Sequence, residues 1–454
     1  MKKLIAAALL LLASPALAFA QEDAAPVLDS GNTAWMLVSA LLVLMMTLPG
    51  LALFYGGLVK KDNILATLMQ SLAVCAIVSI VWPLVGYTLA FTEGSSFIGG
   101  LSKFALHGVG LESATGTIPE TVFIVFQMTF AIITTALLIG AVADRIKFTA
   151  VLVFTPLWLL LVYAPIAHWV WGPGGFIGGL GLENYAGVLG MGTALDFAGG
   201  TVVHINSGVA GLVAAIVMGR SIKANRDPST SNNLLVSVIG TGLLWVGWFG
   251  FNAGSALAAG SLAGYAMLVT NTAAGMACVT WMVVEILHKG KVSVQGALSG
   301  LVAGLVAITP AAGFVDFQSS LAIGLIAGVL CYAAVAKLKE LLKYDDALDV
   351  FGIHGIGGIV GAILTGIYAN PAIGGASGLL YGNPDQLFAQ IISVVVVMAY
   401  SGIVTWVLLV VIRAAMGLRV DARVEYHGLD LALHGETINE FSKSLPSKKS
   451  MKGK

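Results

Sequence analysis

Charge is what this chain has least of. Of its 454 residues only 10% are Asp, Glu, Lys or Arg, against roughly 25% in soluble globular domains. The few charges cancel, 23 basic against 23 acidic, so no basic face is offered to nucleic acid. Cysteine is nearly missing as well. Cys75, Cys278 and Cys331 stand isolated inside apolar runs, a pattern that argues against a disulfide framework or a cysteine metal site and reads as buried packing thiols. What is abundant is apolar surface, 58% hydrophobic residues, together with 56 glycines. That is the composition of a polytopic membrane protein whose helices approach one another through small residues.

The N-terminal apolar run is set aside from the fold. Met1-Lys2-Lys3 supplies a basic start, Leu4 to Leu12 an apolar centre and Ala18-Phe19-Ala20 an A-x-A cleavage site, so residues 1–20 read as a secretory signal peptide. Residues 21–33 are then an extracytoplasmic segment, 34–416 the membrane domain and 417–454 a cytoplasmic tail. A spanning helix needs about 20 apolar residues. Runs of that length are expected near 34–56, 64–92, 120–143, 148–171, 199–219, 233–252, 258–288, 296–314, 319–342, 350–369 and 388–416.

Basic residues set the orientation. They follow the odd-numbered helices: Lys60-Lys61, Arg145 with Lys147, Arg220 with Lys223 and Arg226, Lys289 with Lys291, Lys337 with Lys339 and Lys343, then Arg413, Arg419 and Arg423. Loops after the even-numbered helices carry one, Lys103. This asymmetry places the odd exits in the cytoplasm, giving an N-outside, C-inside all-α membrane protein of eleven transmembrane helices. Five helices per half put the halves in opposite orientations, an inverted five-plus-five repeat, with the eleventh helix wrapping the bundle.

Against this apolar background His204 and His354 stand out. Each opens the pattern His-x3-Gly-x2-Gly, running to Gly211 and to Gly361. Ionisable groups at membrane depth are costly and mark functional positions, and two in matching contexts point to a site at a repeat interface. Asp196 precedes His204 by eight residues, about 12 Å of helix, and Asp349 precedes His354 by five, about 8 Å. Both imidazoles thus approach the middle of the membrane from opposite sides.

Several longer strings resemble the ammonium transporter family, which is related to the Rhesus glycoproteins. They are Asp196-Phe197-Ala198-Gly199-Gly200-Thr201-Val202-Val203-His204, Phe54-Tyr55-Gly56-Gly57, Gly247-Trp248-Phe249-Gly250-Phe251-Asn252-Ala253-Gly254-Ser255 and Asp349-Val350-Phe351-Gly352-Ile353-His354-Gly355. The resemblance runs from Ala34 to Thr437. It implies a homotrimer with one pore per subunit, in the bacterial inner membrane. By the same resemblance His204 and His354 are twin pore histidines, and Phe130 and Phe251 a stacked phenyl gate above them. Trp171 and Ser255, with Phe126, form an outer ammonium-recruitment site; Asp196 is the acid beneath that vestibule, and Thr88 contributes to a water path. Gly417-Leu418-Arg419-Val420, Gly428-Leu429-Asp430 and His434-Gly435-Glu436 match the family's ordered tail, which resembles a docking region for PII signalling proteins.

The chemistry these residues offer is coherent. Ammonium is excluded by hydrocarbon, whereas neutral ammonia crosses apolar space cheaply. Aromatic faces bind the cation, a serine hydroxyl accepts one of its N–H bonds, and two neutral imidazoles give a polar track through a greasy tube. No cofactor is expected. Plainer readings exist for each residue. Asp196 suits the capping of a helix start, Trp171 an interfacial anchor, and the phenylalanines ordinary packing.

A sensor or transceptor with little flux is the alternative function. A haem-binding redox subunit would instead use the two histidines as axial ligands. Asn370-Pro371-Ala372 occurs once, where water channels carry the tripeptide twice. No Thr-Val-Gly-Tyr-Gly filter for potassium is present, and no nucleophile–base pair argues for an enzyme.

Overall fold

The computed structural model describes residues 27–178, 192–222 and 233–438. The expected leader, loop residues Lys223 and Arg226, and the lysine-rich end from Lys443 lie outside the described residues. Among the described residues the membrane domain is built of apolar helices. They are α1 Ser30–Leu58, α2 Lys61–Phe91, α3 Glu120–Val142, α4 Phe148–Trp171, α5 Gly200–Met218, α6 Leu234–Gly254, α7 Ser261–Lys289, α8 Val294–Ile308, α9 Phe317–Leu342, α10 Phe351–Tyr368 and α11 Pro384–Met416. Ten are long and apolar enough to cross a membrane; α8, at 15 residues, is shorter. A run to residue 314 was expected there. The helix stops because Pro310 has no N–H to continue it, and its ring fills the space that Gly200 leaves by lacking a side chain.

Helix ends follow from local chemistry. Asp29, Asn233, Ser293 and Asp316 each accept a backbone N–H from the first turn of α1, α6, α8 and α9, meeting donors that a helix start leaves open. Glycines in the positive-φ region, Gly219, Gly290 and Gly417, close α5, α7 and α11.

Neighbour relations repeat at an offset of five helices. α3 packs on α1, α2 and α5, as α8 packs on α6, α7 and α10; α2 packs on α4 as α7 packs on α9. The two groups meet where α1 lies on α6 and α5 on α10, and α11 runs along α4, α5 and α10. Large apolar side chains point outward all round the bundle, among them Leu41, Leu72, Ile216, Leu235, Val395 and Ile403. A soluble protein would bury them; a bilayer solvates them. The chain is a multi-pass membrane protein.

One end of the bundle gathers the exits of α1, α3, α5 and α9 together with the chain after α11. Ser221 N donates to Asp345 Oδ2 at 2.6 Å, and Arg145 donates to the Asp345 carbonyl. Lys147 N donates to Leu418 O at 2.8 Å, and Leu429 N to Asn63 Oδ1 at 2.9 Å. The other end holds the start of α1, the small hairpin of β1 Ala114–Thr115 and β2 Ile118–Pro119, and the residues leading into α5.

Candidate functional site

α5 and α10 are built alike. Each opens with a left-handed residue, Gly199 at φ +114° and Asp349 at φ +57°, a backbone region that glycine enters freely and aspartate tolerates. Each then makes a wide π-type turn, Gly200–Ile205 and Phe351–Gly355, before 13 residues of regular helix. The histidine lies in that turn on both helices. An aspartate eight residues earlier anchors each start. Asp196 accepts N–H bonds from Gly199, Gly200, Thr201 and Val202, and the Thr201 hydroxyl. Asp346 accepts from Phe351 N at 2.8 Å.

Burial pushes both carboxyls up from the usual range. For Asp196 the Thr201 hydroxyl and the backbone donors pull back; for Asp346 the Lys339 charge does so first. The counterpart of Asp196 is therefore Asp346 rather than Asp349, whose carboxylate pairs with Lys339 Nζ at 2.7 Å.

The two helices cross at glycine. A methyl group on Gly208 would collide with the backbone of Gly355, so both residues admit a close crossing that larger side chains forbid. At that crossing His204 Nδ1 and His354 Nδ1 lie 3.2 Å apart. A hydrogen bond between like nitrogens needs one donor and one acceptor, so the two imidazoles carry opposite tautomers when both are neutral. Both rings are buried, and His204 Nε2 has no hydrogen-bond partner. Direct contact between the nitrogens leaves no room for a macrocycle between them, which removes the axial-haem reading. Among the described residues no group of three or more His, Cys, Asp or Glu is placed to hold a metal ion.

A column of rings leads away from this pair. The His204 ring is 6.1 Å from Phe251, and Phe251 stacks on Phe130 at 4.1 Å with the planes 10° apart. Phe130 meets Phe126 at 4.8 Å and Trp171 edge-on at 5.9 Å. Above Phe130 opens a cavity of about 880 Å3 whose wall includes Phe126, Phe130, Trp171, Asp196 and Ser255. Phe251 and the histidines do not line it; the Phe130 ring forms its floor, and Phe251 stacks beneath that ring.

The seven residues expected at the recruitment site, gate and pore are thus brought together, Trp171, Ser255, Phe126 and Phe130 in the cavity wall and Phe251, His204 and His354 in the column beneath it. Asp196 sits beside them, its backbone carbonyl accepting the Trp171 indole N–H at 2.8 Å. Ser255 Oγ donates to Phe251 O one turn back at 2.9 Å, which leaves its lone pairs for a donor in the cavity. Thr88 lies elsewhere. Its hydroxyl donates to Gly100 O and accepts Lys103 N, fastening a loop.

Sequence reasoning passed over Trp248, which stacks on His204 at 5.4 Å and donates to Thr309 Oγ1 at 2.9 Å. It also passed over Asp346, although the eight-residue spacing shared with Asp196 was there to be matched.

Known proteins agree with this architecture. The model of the Ammonium Transporter Family matches residues 34–438. An ammonium transporter of Aquifex aeolicus is 52% identical over 412 residues, covering 90% of this chain and 93% of its own. One from Bacillus subtilis is 49% identical over 419 residues, 91% and 100% of the two chains. Among solved structures, Candida albicans Mep2 aligns with a TM-score of 0.78 at 35% identity, covering 87% of each chain. A structure described as a sensor Amt protein aligns at 0.80 with 29% identity, covering 88% of this chain and 98% of its own. With a family match across the whole helical bundle and relatives at half identity, this chain belongs to the ammonium transporter family.

Proposed function

We propose that this protein collects ammonium ions in the outer cavity, removes a proton at its floor and conducts ammonia past the histidine pair. The observation that carries the reading is the order of groups along one line: cavity, Trp171, Phe130 on Phe251, His204, His354. Ring faces of Trp171, Phe126 and Phe130 favour a cation by about 0.5–2 kcal/mol each, and the Ser255 hydroxyl can accept one N–H. Below the stacked phenyls stand His204, Trp248 and His354, all buried. Only a species that has shed its charge crosses such buried surroundings cheaply. Potassium can sit among the aromatics but has no proton to lose, so selection falls at deprotonation. The separated proton then travels by water and the histidines, and net charge crosses with each ammonium. Asp196 ties the start of α5 and adds negative potential at the cavity wall.

The charge asymmetry of the loops supports an N-outside, C-inside orientation in a bacterial inner membrane, with the cavity facing out. The family supports a homotrimer. The chain beyond α11 spans several helix ends. Arg419 donates to Met218 O and Arg220 O, and Asp430 Oδ1 accepts Ala66 N at 2.8 Å. That platform suits docking by a PII signalling protein at residues 417–437.

Proteoliposomes test the main reading. Protein-dependent uptake of labelled methylammonium, competed by ammonium but not by potassium, is expected. Equal competition by potassium would contradict selection at deprotonation.

A further inference from the structure

The outer cavity contains a second charged group that the proposed pathway does not use. Glu120, the first residue of α3, is 4% exposed in the cavity wall. It accepts the Tyr87 hydroxyl on Oε1 at 2.6 Å, and the same oxygen holds the Lys103 ammonium. The Lys103 nitrogen also stands 6.0 Å from the centre of the Tyr87 ring, within the range of a cation–π contact. Lys103 itself is the one basic residue among the loops expected outside, and its side chain is 35% exposed. Its backbone is pinned, because Lys103 N donates to Thr88 Oγ1 and Thr88 Oγ1 donates to Gly100 O. The loop is held while the long side chain reaches into the cavity.

A lysine head is a primary ammonium on an alkyl stem, the chemical group of methylammonium. It rests here in a carboxylate, a phenol and an aromatic face, a set of partners that suits a small ammonium ion as well as a lysine. A plain structural ion pair accounts for the neutralisation of Glu120 but not for the location. The carboxylate, the phenol and the lysine all face the cavity that also presents Trp171 and Ser255.

We infer that Glu120 and Tyr87 form a second ammonium-ion position in the outer cavity, occupied in the free protein by Lys103 as a tethered competitor. The inference rests on the proposed transport reading. A tethered group competes at an effective concentration in the millimolar range, so dilute ammonium does not displace it. The lysine weakens cation collection at the mouth, and removing it opens the position.

Thallium(I), an ammonium-sized cation visible by anomalous scattering, tests this directly in crystals. Lys103→Met should show an anomalous peak within coordination reach of the Glu120 carboxylate and Tyr87. Wild type and Lys103→Met/Glu120→Gln should show none there. A peak at Glu120 in wild type, or its absence from Lys103→Met, would overturn the inference. Uptake gives a second readout. The half-saturating ammonium concentration should fall several-fold in Lys103→Met and stay at the wild-type value in Lys103→Arg; an unchanged value in Lys103→Met counts against the competitor role. Lys103→Gln serves for both readouts if the methionine variant does not fold. Failure of transport in wild type would sink the transport reading and leave the thallium result to stand or fall alone.

Discussion

At the scale of single residues, the protein solves a solvation problem with very few polar atoms. His204 and His354 share one contact at 3.2 Å, and His204 Nε2 is left without a partner. Buried polar groups are ordinarily satisfied. An imidazole nitrogen left over beneath a phenyl pair is available to a passing ammonia or water. Trp248 fixes the ring that carries it, stacked at 5.4 Å and held in turn by Thr309. Small misplacement of a reacting group costs rate steeply. Trp248→Leu is therefore expected to lower methylammonium uptake by about tenfold or more while the protein still purifies intact, as checked by flux assays beside size-exclusion profiles. Unchanged uptake would show that the stack does not position His204. On the proposed reading Ser255→Ala removes an acceptor rather than a scaffold, since its hydroxyl donates within its own helix. It should raise the half-saturating concentration several-fold with little change in thermal midpoint.

At the scale of elements, the α5–α10 crossing holds the site together. Gly208 meets the backbone of Gly355, and Gly358 approaches Gly200 and Ile205. Widening that crossing must separate the histidines. Gly208→Val should destabilise the protein by about 1–3 kcal/mol and abolish uptake. Thermal unfolding in detergent and flux read the two effects, and full uptake in a stable variant would show that the crossing tolerates width. Asp196 supports the same element from its start. Replacing it by Ala strands several N–H groups, so a loss of about 2 kcal/mol or more is expected.

How far this was legible depended on cost. A histidine in an apolar run is expensive enough to be conspicuous, and the repeated glycines beside it suggested the crossing. Asp346 was obscured because Asp345, Asp346 and Asp349 crowd one loop; the eight-residue spacing favours Asp346, and its bond from Phe351 N bears that out. Trp248 was hidden because aromatics in membrane helices mostly pack. Glu120 and Lys103 are 17 residues apart across a loop, a separation no periodicity reports. The extent of α8 was missed because the apolar run continues past Pro310 to residue 314, whereas the helix ends at Ile308 and the Pro310 ring packs against Gly200.

At the scale of the whole molecule, two five-helix groups with matching neighbour relations bring two oppositely derived histidines together, and one polar end ties loops to the chain after α11. Arg419 donates to both oxygens of Glu425, one of which, Oε1, also accepts Ile222 N at 2.8 Å. The segment therefore grips α5 from its end. A pull-down with a PII protein should succeed with the full chain and fail without residues 417–437; equal capture by both would end the docking proposal.

The central claim, that ammonium gives up its proton before passing the histidines and that the proton crosses by its own route, is tested most directly by current across proteoliposome membranes. Ammonium jumps should give a current in wild type and potassium jumps none. In His204→Ala and His354→Ala the distinction between the two ions should shrink or the ammonium current should vanish. Sustained ammonium uptake with no current in wild type, or unaltered selectivity in both variants, would contradict the account.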